Sequence, residues 1–484
     1  MGVLSENVPG GSATKVDTLT YNWQHQTASC VSGGTTACGS IFPANIFALQ
    51  CGDGLTVPGQ PKSDPAPCNT EAVDPNLRTP YVSTWTLTIQ RAFTNDLSLE
   101  VAYVGNHGTK FLGFANINQA PLGAGWGNSA IAGTPAASCI ASANDTKVVN
   151  GVTVPAPYDN CSPSAALETA AQPFAGKFPY LSQIDQLSNI DRSNYNGLHV
   201  TLTQRPSHGL SFLAGYTYSH GLDNTSANFG ANFLPVDSSH PASLYGSSDF
   251  DVRHRFTLTT SYVLPGRKSP GQILQGWQLN SVVTLASGAP WTPRDATNDF
   301  SGTNQVNELA SYGQLWNFYG NTGDFTPGRG VTIPFFSGTS NAACLAKAVA
   351  LDGGAATGLA HASLTNSGCY AKGNSILIPP AYGTIGTSGR NNFRDLGFKD
   401  WDLSVVKDVK FKERLTAQFR AEFFNVLNHT IFYNPNGPAG AGANDPSASL
   451  TFGCSCNTPD QAAPNPVLGT GANRSIQLGL KLIW

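Results

Sequence analysis

The ten cysteines are the residues of this sequence best suited to covalent chemistry. They fall as four, two, two and two into four segments that lack strand-like patterning. An even number in each segment is what local disulfides produce, and disulfides persist in an oxidising compartment. The candidate pairs are Cys139 with Cys161, Cys344 with Cys369, and Cys454 with Cys456. The four N-terminal cysteines, which allow three connectivities, are Cys30, Cys38, Cys51 and Cys68.

Free thiols and metal binding are the alternatives for these cysteines. Cys454 and Cys456 are one residue apart, not the two to four residues of a zinc knuckle, and no second close pair accompanies them. The nine histidines are scattered and lack the spacing of a metal or catalytic site. The motifs GxxxxGK[ST], HExxH and GxSxG are absent from the sequence. We therefore expect no metal, no cofactor and no enzymatic activity.

The composition points to strands and polar loops. Charged residues make up 12% of the 484 residues, against about 25% in ordinary soluble domains. The sequence contains 51 glycines and 32 prolines, which favour turns and loops. A net charge of -3 predicts no strong attraction to nucleic acid. The sequence has no run of 18 apolar residues, so it predicts no transmembrane helix. The first residues lack the pattern of a signal peptide.

Nine segments alternate apolar and polar residues with a period of two, which is typical of half-buried or membrane-facing strands. The final segment is the clearest. Its apolar face consists of Ile476, Leu478, Leu480, Leu482 and Trp484. The nine segments are 82–92, 97–107, 195–205, 210–220, 251–264, 276–288, 398–409, 415–423 and 475–484.

The connections between these segments alternate between short and long. The short connections are 93–96, 206–209, 265–275 and 410–414. The long connections are 108–194, 221–250, 289–397 and 424–474. All short turns therefore lie on one side, as in up-and-down transmembrane barrels with short periplasmic turns and long extracellular loops. The candidate disulfides would all lie on the outer side.

The sequence thus predicts an all-β fold: a partial antiparallel up-and-down transmembrane β-barrel of about nine to ten strands with long extracellular loops. Residues 1–80 are predicted to be an extracellular, cysteine-containing, loop-like segment, and residues 81–484 the partial barrel. The predicted location is the outer membrane, with its lipid as a partner.

Charged residues on the polar faces of the strands are the candidates for contact with a solute. An Arg or Lys facing lipid at the midplane costs about 2–4 kcal/mol, so we expect these side chains to face the lumen. Pairing between neighbouring strands is the alternative role, and the one we favour. The candidates are Arg253, Arg255, Asp402, Arg420 and Glu422.

The terminal strand IQLGLKLIW, which ends in an aromatic residue, looks like the C-terminal assembly signal read by the barrel-assembly machinery. Other stretches, in this order, resemble the Oar-like branch of TonB-dependent receptors. They are RTPYVSTWTLTIQRAF (78–93), LEVAYVGNHGTKF (99–111), NYNGLHVTLTQR (194–205), FLAGYTYSH (212–220), DVRHRFTLTTSYVLP (251–265), GWQLNSVVTLASGAPWTP (276–293), GRNNFRDLGFKDWDLSVVKD (389–408) and AEFFNVLNHTIF (421–432).

This resemblance implies a 22-stranded barrel with an N-terminal plug, preceded in this branch by a carboxypeptidase-regulatory-like domain. Such receptors bind a ligand outside the cell and import it with energy from TonB. The sequence departs from the pattern, because it has about nine strands and no plug or TonB box. We therefore expect the C-terminal barrel portion of such a receptor, able to reach TonB only through a missing N-terminal part.

The resulting hypothesis is binding and uptake of an unidentified extracellular ligand. Two alternatives stay open: a self-standing surface or adhesion barrel that transports nothing, and a secreted all-β binding domain. The one-sided short turns and the terminal Trp484 argue against the secreted domain.

Overall fold

The computed structural model describes part of the chain. The described residues are 20–22, 27–29, 68–126, 146–149, 152–155, 163, 165–178, 181–226, 235–303, 313–355, 358–411, 415–432, 434–435, 443–448, 450–456, 458 and 474–484. Most of the predicted segment 1–80 and the pair Cys139 and Cys161 lie outside these residues, as do Cys30, Cys38 and Cys51. The division at residue 80 stays a prediction.

Nine long strands form one sheet in which each strand pairs antiparallel with the next along the chain. This arrangement confirms the predicted all-β, up-and-down fold. The strands are β1 (Tyr81–Ala92), β2 (Leu97–Asn116), β3 (Leu181–Ser207), β4 (Leu210–Asp223), β5 (His254–Val263), β6 (Trp277–Ala286), β7 (Phe398–Phe411), β8 (Leu415–Phe424) and β9 (Ser475–Ile483). Within the described residues, β1 and β9 are the two edges of this path and do not pair with each other.

Three strands extend further on the long-loop side than the alternation predicts. β2 continues to Asn116, β3 begins at Leu181 and β4 ends at Asp223. The pairing of β2 with β3 shifts register twice in this extension, between Gly108 and Gly113, and each shift interrupts the period-two pattern. The short strand Cys68–Val73 adds to the start of β3 in a parallel pairing.

One face of the sheet is apolar across all nine strands. Directly opposed residues share a face, and their register aligns apolar residues in rows. One row runs through Leu99, Leu202, Ala214, Leu258, Val283 and Trp401. Another runs through Leu279, Val405, Ala421 and Leu478. Several apolar side chains on this face, among them Leu279, Phe419 and Leu480, are exposed, and Leu478 is 78% exposed, so this face needs an apolar surrounding.

The opposite face is polar along the same strands. One row runs through Gln90, Glu100, Thr201, Gly215, Thr257, Thr284 and Asp400. A second row runs through Ser211, Ser261, Asn280, Ser404, Glu422 and Gln477. The sheet therefore has the two-sided character of a membrane barrel wall, with apolar residues on the outside and polar residues on the inside.

Short elements lie before β1 and in the connections between the long strands, mostly in the long connections. The helices are α1 (Ala165–Ala171), α2 (Ala342–Leu351) and α3 (Leu359–Ser367), and the 3-10 turns are Pro241–Leu244, Pro270–Gln272 and Thr322–Phe325. The remaining short strands are Thr20–Asn22, Thr27–Ser29, Thr146–Val149, Val152–Pro155, Gly246–Ser247, Pro290–Trp291, Arg294–Asp295, Gln314–Leu315, Asn317–Tyr319, Gly328–Arg329, Phe335–Phe336, Cys369–Lys372, Ser375–Ile378, Phe393–Arg394 and Cys454–Ser455. Among the described helices, none is long and apolar enough to cross a membrane.

Neighbouring residues of β8 test which face meets lipid. Phe419 lies on the apolar face opposite Leu480, whereas Gln418 lies on the polar face and donates to Asp408. We expect Phe419→Arg to block insertion, because an arginine facing lipid costs about 2–4 kcal/mol at the midplane. Gln418→Arg should insert like the unmodified chain, because its charge lies beside Asp408. Heat-modifiable gel migration after folding into detergent micelles measures insertion, and equal tolerance of both changes would contradict the assigned faces.

Candidate functional site: the cap and the polar wall

The predicted charged residues lie on or just above the polar face. Arg420 Nη2 and Glu422 Oε1 are 3.1 Å apart, and both side chains lie on this face of β8. Asp402 is on the neighbouring β7, where its carboxylate accepts the backbone N–H of Asn425. Arg255 is exposed near the start of β5, opposite Thr217 of β4.

Arg253 precedes β5 and belongs to a polar cluster at the top of the sheet. Its Nε is 3.1 Å from the carboxylate of Asp251, which also accepts from His220 and Arg394 and from the backbone N–H of Gly221. Burial raises the pKa of Asp251, but these hydrogen bonds outweigh it and hold the pKa below its ordinary value. Asp251 is therefore a charged anchor for the loop that leads into β5.

The long connections fold together into a cap with its own hydrophobic core. The cap is defined here as the described parts of the β2–β3, β6–β7 and β8–β9 connections. Its main cluster consists of Trp126, Trp291, Phe300, Trp316, Phe325, Ile333, Ala362, Tyr370, Leu377, Tyr382, Phe393 and Phe452. Trp126 comes from the first connection and Phe452 from the last, so three separate loops share this core.

Directed contacts fix the geometry of the cap core. The Trp126 ring stacks on Tyr382 with centroids 4.0 Å apart, and its Nε1 donates to the carbonyl of Phe300 at 2.8 Å. The Tyr370 and Phe452 rings are 4.2 Å apart. These contacts join residues that are far apart in sequence, so the cap is a folded unit and not a set of independent loops.

A disulfide joins Cys344 of α2 to Cys369, the first residue of a cap strand, with Cα atoms 6.6 Å apart. Asn341 caps α2 by accepting from the backbone N–H of Cys344. Both cysteines are fully buried in a second small cluster that includes Leu364 of α3. The structure also joins Cys454 to Cys456.

A buried arginine attaches the cap to the top of the sheet. The side chain of Arg390 is 1% exposed. Its Nη1 donates to the Asp223 carboxylate at 2.6 Å, and its Nη2 donates to Ser226 Oγ at 2.6 Å and Asp249 at 3.2 Å. The adjacent Asn391 donates to Asp249 and to the carbonyl of Ser247.

This cluster, the Arg390 clamp, connects the end of β4, the loop before β5 and the segment that leads into β7. Asn391 has a φ of 57°, a left-handed conformation that asparagine tolerates better than most residues. Arg394 extends the clamp by donating to the backbone carbonyl and carboxylate of Asp251. Removing one partner of such a buried ion pair is costly, because the other charge stays buried.

A carboxyl pair with one buried member lies in the cap. Glu168 of α1 is 5% exposed. Burial, then the charge of Asp299 and a hydrogen bond to it, raise the pKa of Glu168 to about 8. At neutral pH Glu168 therefore carries a proton that it can share with the Asp299 carboxylate.

Neither the Arg390 clamp nor the carboxyl pair was predicted as a functional cluster from the sequence. The stretch GRNNFRDLGFKDWD, which resembles receptor sequences, contains both clamp arginines. Its acidic partners lie 140 or more residues earlier in the chain, so sequence spacing gives no signal for the pairing. Among the described residues, no group of three His, Cys, Asp or Glu is arranged to hold a metal ion.

The pairing of β8 with β9 shows which face of the sheet each residue of the terminal strand occupies. Ile476, Leu478, Leu480 and Leu482 pair with Phe423, Ala421, Phe419 and Ala417. These four leucine and isoleucine side chains are exposed on the apolar face, and Trp484 is 91% exposed beyond the end of the strand. Their role as an assembly signal stays a prediction.

A one-sided apolar sheet with short turns at one end and a cap at the other is the architecture of an outer-membrane β-barrel protein. The sequence matches the family model described as "Outer membrane beta barrel domain" over residues 1–477. The chain belongs to this family, and its location is the outer membrane.

Among solved structures, the chain is similar to the outer membrane transporter YddB from Escherichia coli. The TM-score is 0.32 at 9% sequence identity, and the match covers 84% of this chain. It covers 33% of the transporter, so the chain spans about a third of that protein's length. A comparison with curated proteins finds no match.

The Arg390 clamp can be tested by removing its cation. Arg390→Leu leaves Asp223 and Asp249 without their guanidinium partner, which we expect to destabilise the attachment of the cap by about 3–5 kcal/mol. Limited proteolysis of the inserted protein should then cut the β6–β7 connection at least tenfold faster. Lys177→Leu, which removes an exposed cation of the cap, should leave the cleavage rate unchanged. Equal cleavage rates for the two variants would contradict the clamp.

The carboxyl pair predicts a pH dependence of cap stability. Folding raises the pKa of Glu168 from 4.5 to about 8. The stability that protonated Glu168 gives the folded cap is therefore fully present below about pH 4.5 and is lost as the pH rises towards 8. Glu168→Gln should abolish this decline, so the variant should be more stable than the unmodified chain at pH 8. Thermal melting of the cap, followed by near-UV circular dichroism at pH 5 and 8, measures the difference. A parallel decline in both proteins would rule out Glu168 as its source.

Proposed function

We propose that this chain is the barrel portion of a TonB-dependent receptor of the Oar-like branch, which binds an extracellular ligand and takes it up. The observation that carries the proposal is the cap: three long connections share one core on the side opposite the short turns. A folded, clamped outer surface above a polar wall suits selective ligand binding better than passive diffusion. The role is non-enzymatic and needs no cofactor.

In this proposal, the charges of the polar face line the path of the ligand. Arg255, Asp402, Arg420 and Glu422 share this face, and Arg253 lies at its upper end. Arg420 and Glu422 are paired with each other, which also fits the plainer role of stabilising the wall. Coupling to TonB requires an N-terminal plug, which the resemblance places before the barrel.

The second candidate is a surface or adhesion barrel that transports nothing. It is favoured by the exposed apolar side chains on the cap, since Leu450 is 91% exposed and Val331 62%. Such side chains suit contact with a partner surface. The secreted binding domain is no longer favoured, because the chain belongs to an outer-membrane family.

Uptake can be tested before the ligand is known. The host strain, a strain deleted for the gene and a strain that carries Arg390→Leu are grown in complex medium, and mass spectrometry follows the loss of compounds from the medium. We expect at least one compound to disappear several-fold more slowly in the deletion strain and in the Arg390→Leu strain. A protonophore should slow the host strain to the same rate, and a strain that carries Lys177→Leu should behave like the host.

The same strains distinguish the adhesion barrel from the uptake receptor. Unchanged depletion of every compound, together with reduced attachment of the deletion strain to surfaces, would replace uptake by adhesion. Membrane fractionation and heat-modifiable migration of Arg390→Leu show whether the variant still inserts. Loss of depletion by a variant that inserts normally assigns the effect to the cap.

A further inference from the structure

Unpaired cations surround the short-turn side of the sheet. Each of the four short turns has at least one exposed Lys or Arg within it or within two residues of it. They are Arg91, Arg205, Arg267, Lys268 and Lys410. Among the described residues, none of these five forms an ion pair with a carboxylate. We call these five residues the basic rim.

The basic rim lies where the apolar face ends. Phe93 is exposed in the first short turn, and the Arg91 guanidinium lies 5.8 Å from the centroid of its ring. Lys407 Nζ lies 5.3 Å from the ring of Trp277, at the start of β6. Aromatic rings beside cations are typical of the level at which a protein crosses from hydrocarbon to lipid headgroups.

Cations at the junction between the cap and the sheet are used internally. Arg390 is bound to Asp223 and Asp249, and Arg394 and Arg253 are bound to Asp251. The five cations of the basic rim, in contrast, have no carboxylate partner among the described residues and are open to a partner outside the chain. An exposed ring of unpaired cations next to an apolar band fits an anionic surface in the same plane.

We propose that the basic rim binds the phosphate groups of anionic phospholipids in the periplasmic leaflet of the outer membrane. Short turns of outer-membrane barrels face the periplasm. The rim is continuous with the lipid-facing residues, so its side chains lie within reach of the headgroups of the lipids that cover the apolar face. This favours lipid over a soluble acidic partner, which would have to approach from below the turns. The proposal does not depend on ligand uptake.

Hydrogen bonds to β7 fix the position of the turn between β5 and β6, which carries two residues of the basic rim. Lys407 donates to the backbone carbonyls of Gln272 and Gln275, and Gln272 Nε2 donates to the carbonyl of Lys410 at 2.7 Å. These bonds attach the turn that carries Arg267 and Lys268 to β7. The two cations are therefore presented by an ordered turn.

The test compares two triple variants with the same change in charge. The rim variant is Arg205→Gln, Arg267→Gln and Lys268→Gln. The control, called the cap variant, combines Arg78→Gln, which precedes β1 on the same side as the cap, with Lys177→Gln and Lys347→Gln in the cap itself. Each full-length protein is reconstituted into phosphatidylcholine vesicles that contain about 30% phosphatidylglycerol, an anionic lipid. Mild detergent then extracts the protein, and mass spectrometry measures the ratio of the two lipids that remain bound.

We expect the unmodified chain and the cap variant to retain a ratio of phosphatidylglycerol to phosphatidylcholine about fivefold above the ratio in the vesicles, since each cation near an anionic surface strengthens binding about fivefold. The rim variant should retain the two lipids in their vesicle ratio. High salt should reduce the enrichment in the unmodified chain, because the contacts are exposed.

Equal phosphatidylglycerol enrichment in the rim variant and the unmodified chain would overturn the proposal. The proposal would also be overturned if the rim variant kept the phosphatidylglycerol enrichment of the unmodified chain but no longer sedimented with peptidoglycan. The rim would then bind the cell wall. Heat-modifiable migration shows whether the rim variant is inserted. If it is not, the single variants Arg267→Gln and Lys268→Gln are measured in its place, and each should lower the enrichment.

Discussion

The contact of one sheet face with hydrocarbon is the constraint on which the rest of this structure depends. Lipid offers no hydrogen bonds, so every backbone group at that depth must pair within the sheet, and the side chains on that face must be largely apolar. Nine strands satisfy this requirement with rows such as Leu99, Leu202 and Leu258. The polar face then cannot supply a large hydrophobic core. The main core lies in the cap instead, where Trp291, Trp316 and other aromatic residues are fully buried.

The cap and the wall are made from one chain but follow different physical rules. The wall is one-sided and is stabilised by its surroundings, whereas the cap buries its apolar residues as a water-soluble domain does. The Arg390 clamp joins the two at the tops of β4, β5 and β7 through fixed charges and not through apolar contact. Such a junction depends on direction and distance, so it holds the cap at one orientation above the wall.

The sequence predicts the wall well because alternation is a local signal. All nine strands appear near the expected segments, and the faces of β8 and β9 match residue by residue from Leu415 to Leu482. The prediction misses the upper extensions of β2 and β3, where bulges interrupt the alternation. It also treats the long connections as plain loops, because the contact of Trp126 with Tyr382 or of Arg390 with Asp223 joins residues that no short-range pattern relates. Disulfides were expected in these loops from cysteine counts alone, and counting cannot locate the aromatic core around them.

The number of strands has a consequence for the edges of the sheet. Successive strands alternate in direction, so β1 and β9, which are separated by eight steps, run the same way. A direct seam between them would be parallel, whereas single-chain bacterial barrels close with antiparallel seams and even strand numbers. Both edges carry backbone groups that lipid cannot satisfy, and the side chains of both strands are exposed almost throughout. An antiparallel closure therefore requires an odd number of further strands between β9 and β1, because only then do both edges meet a neighbour that runs in the opposite direction.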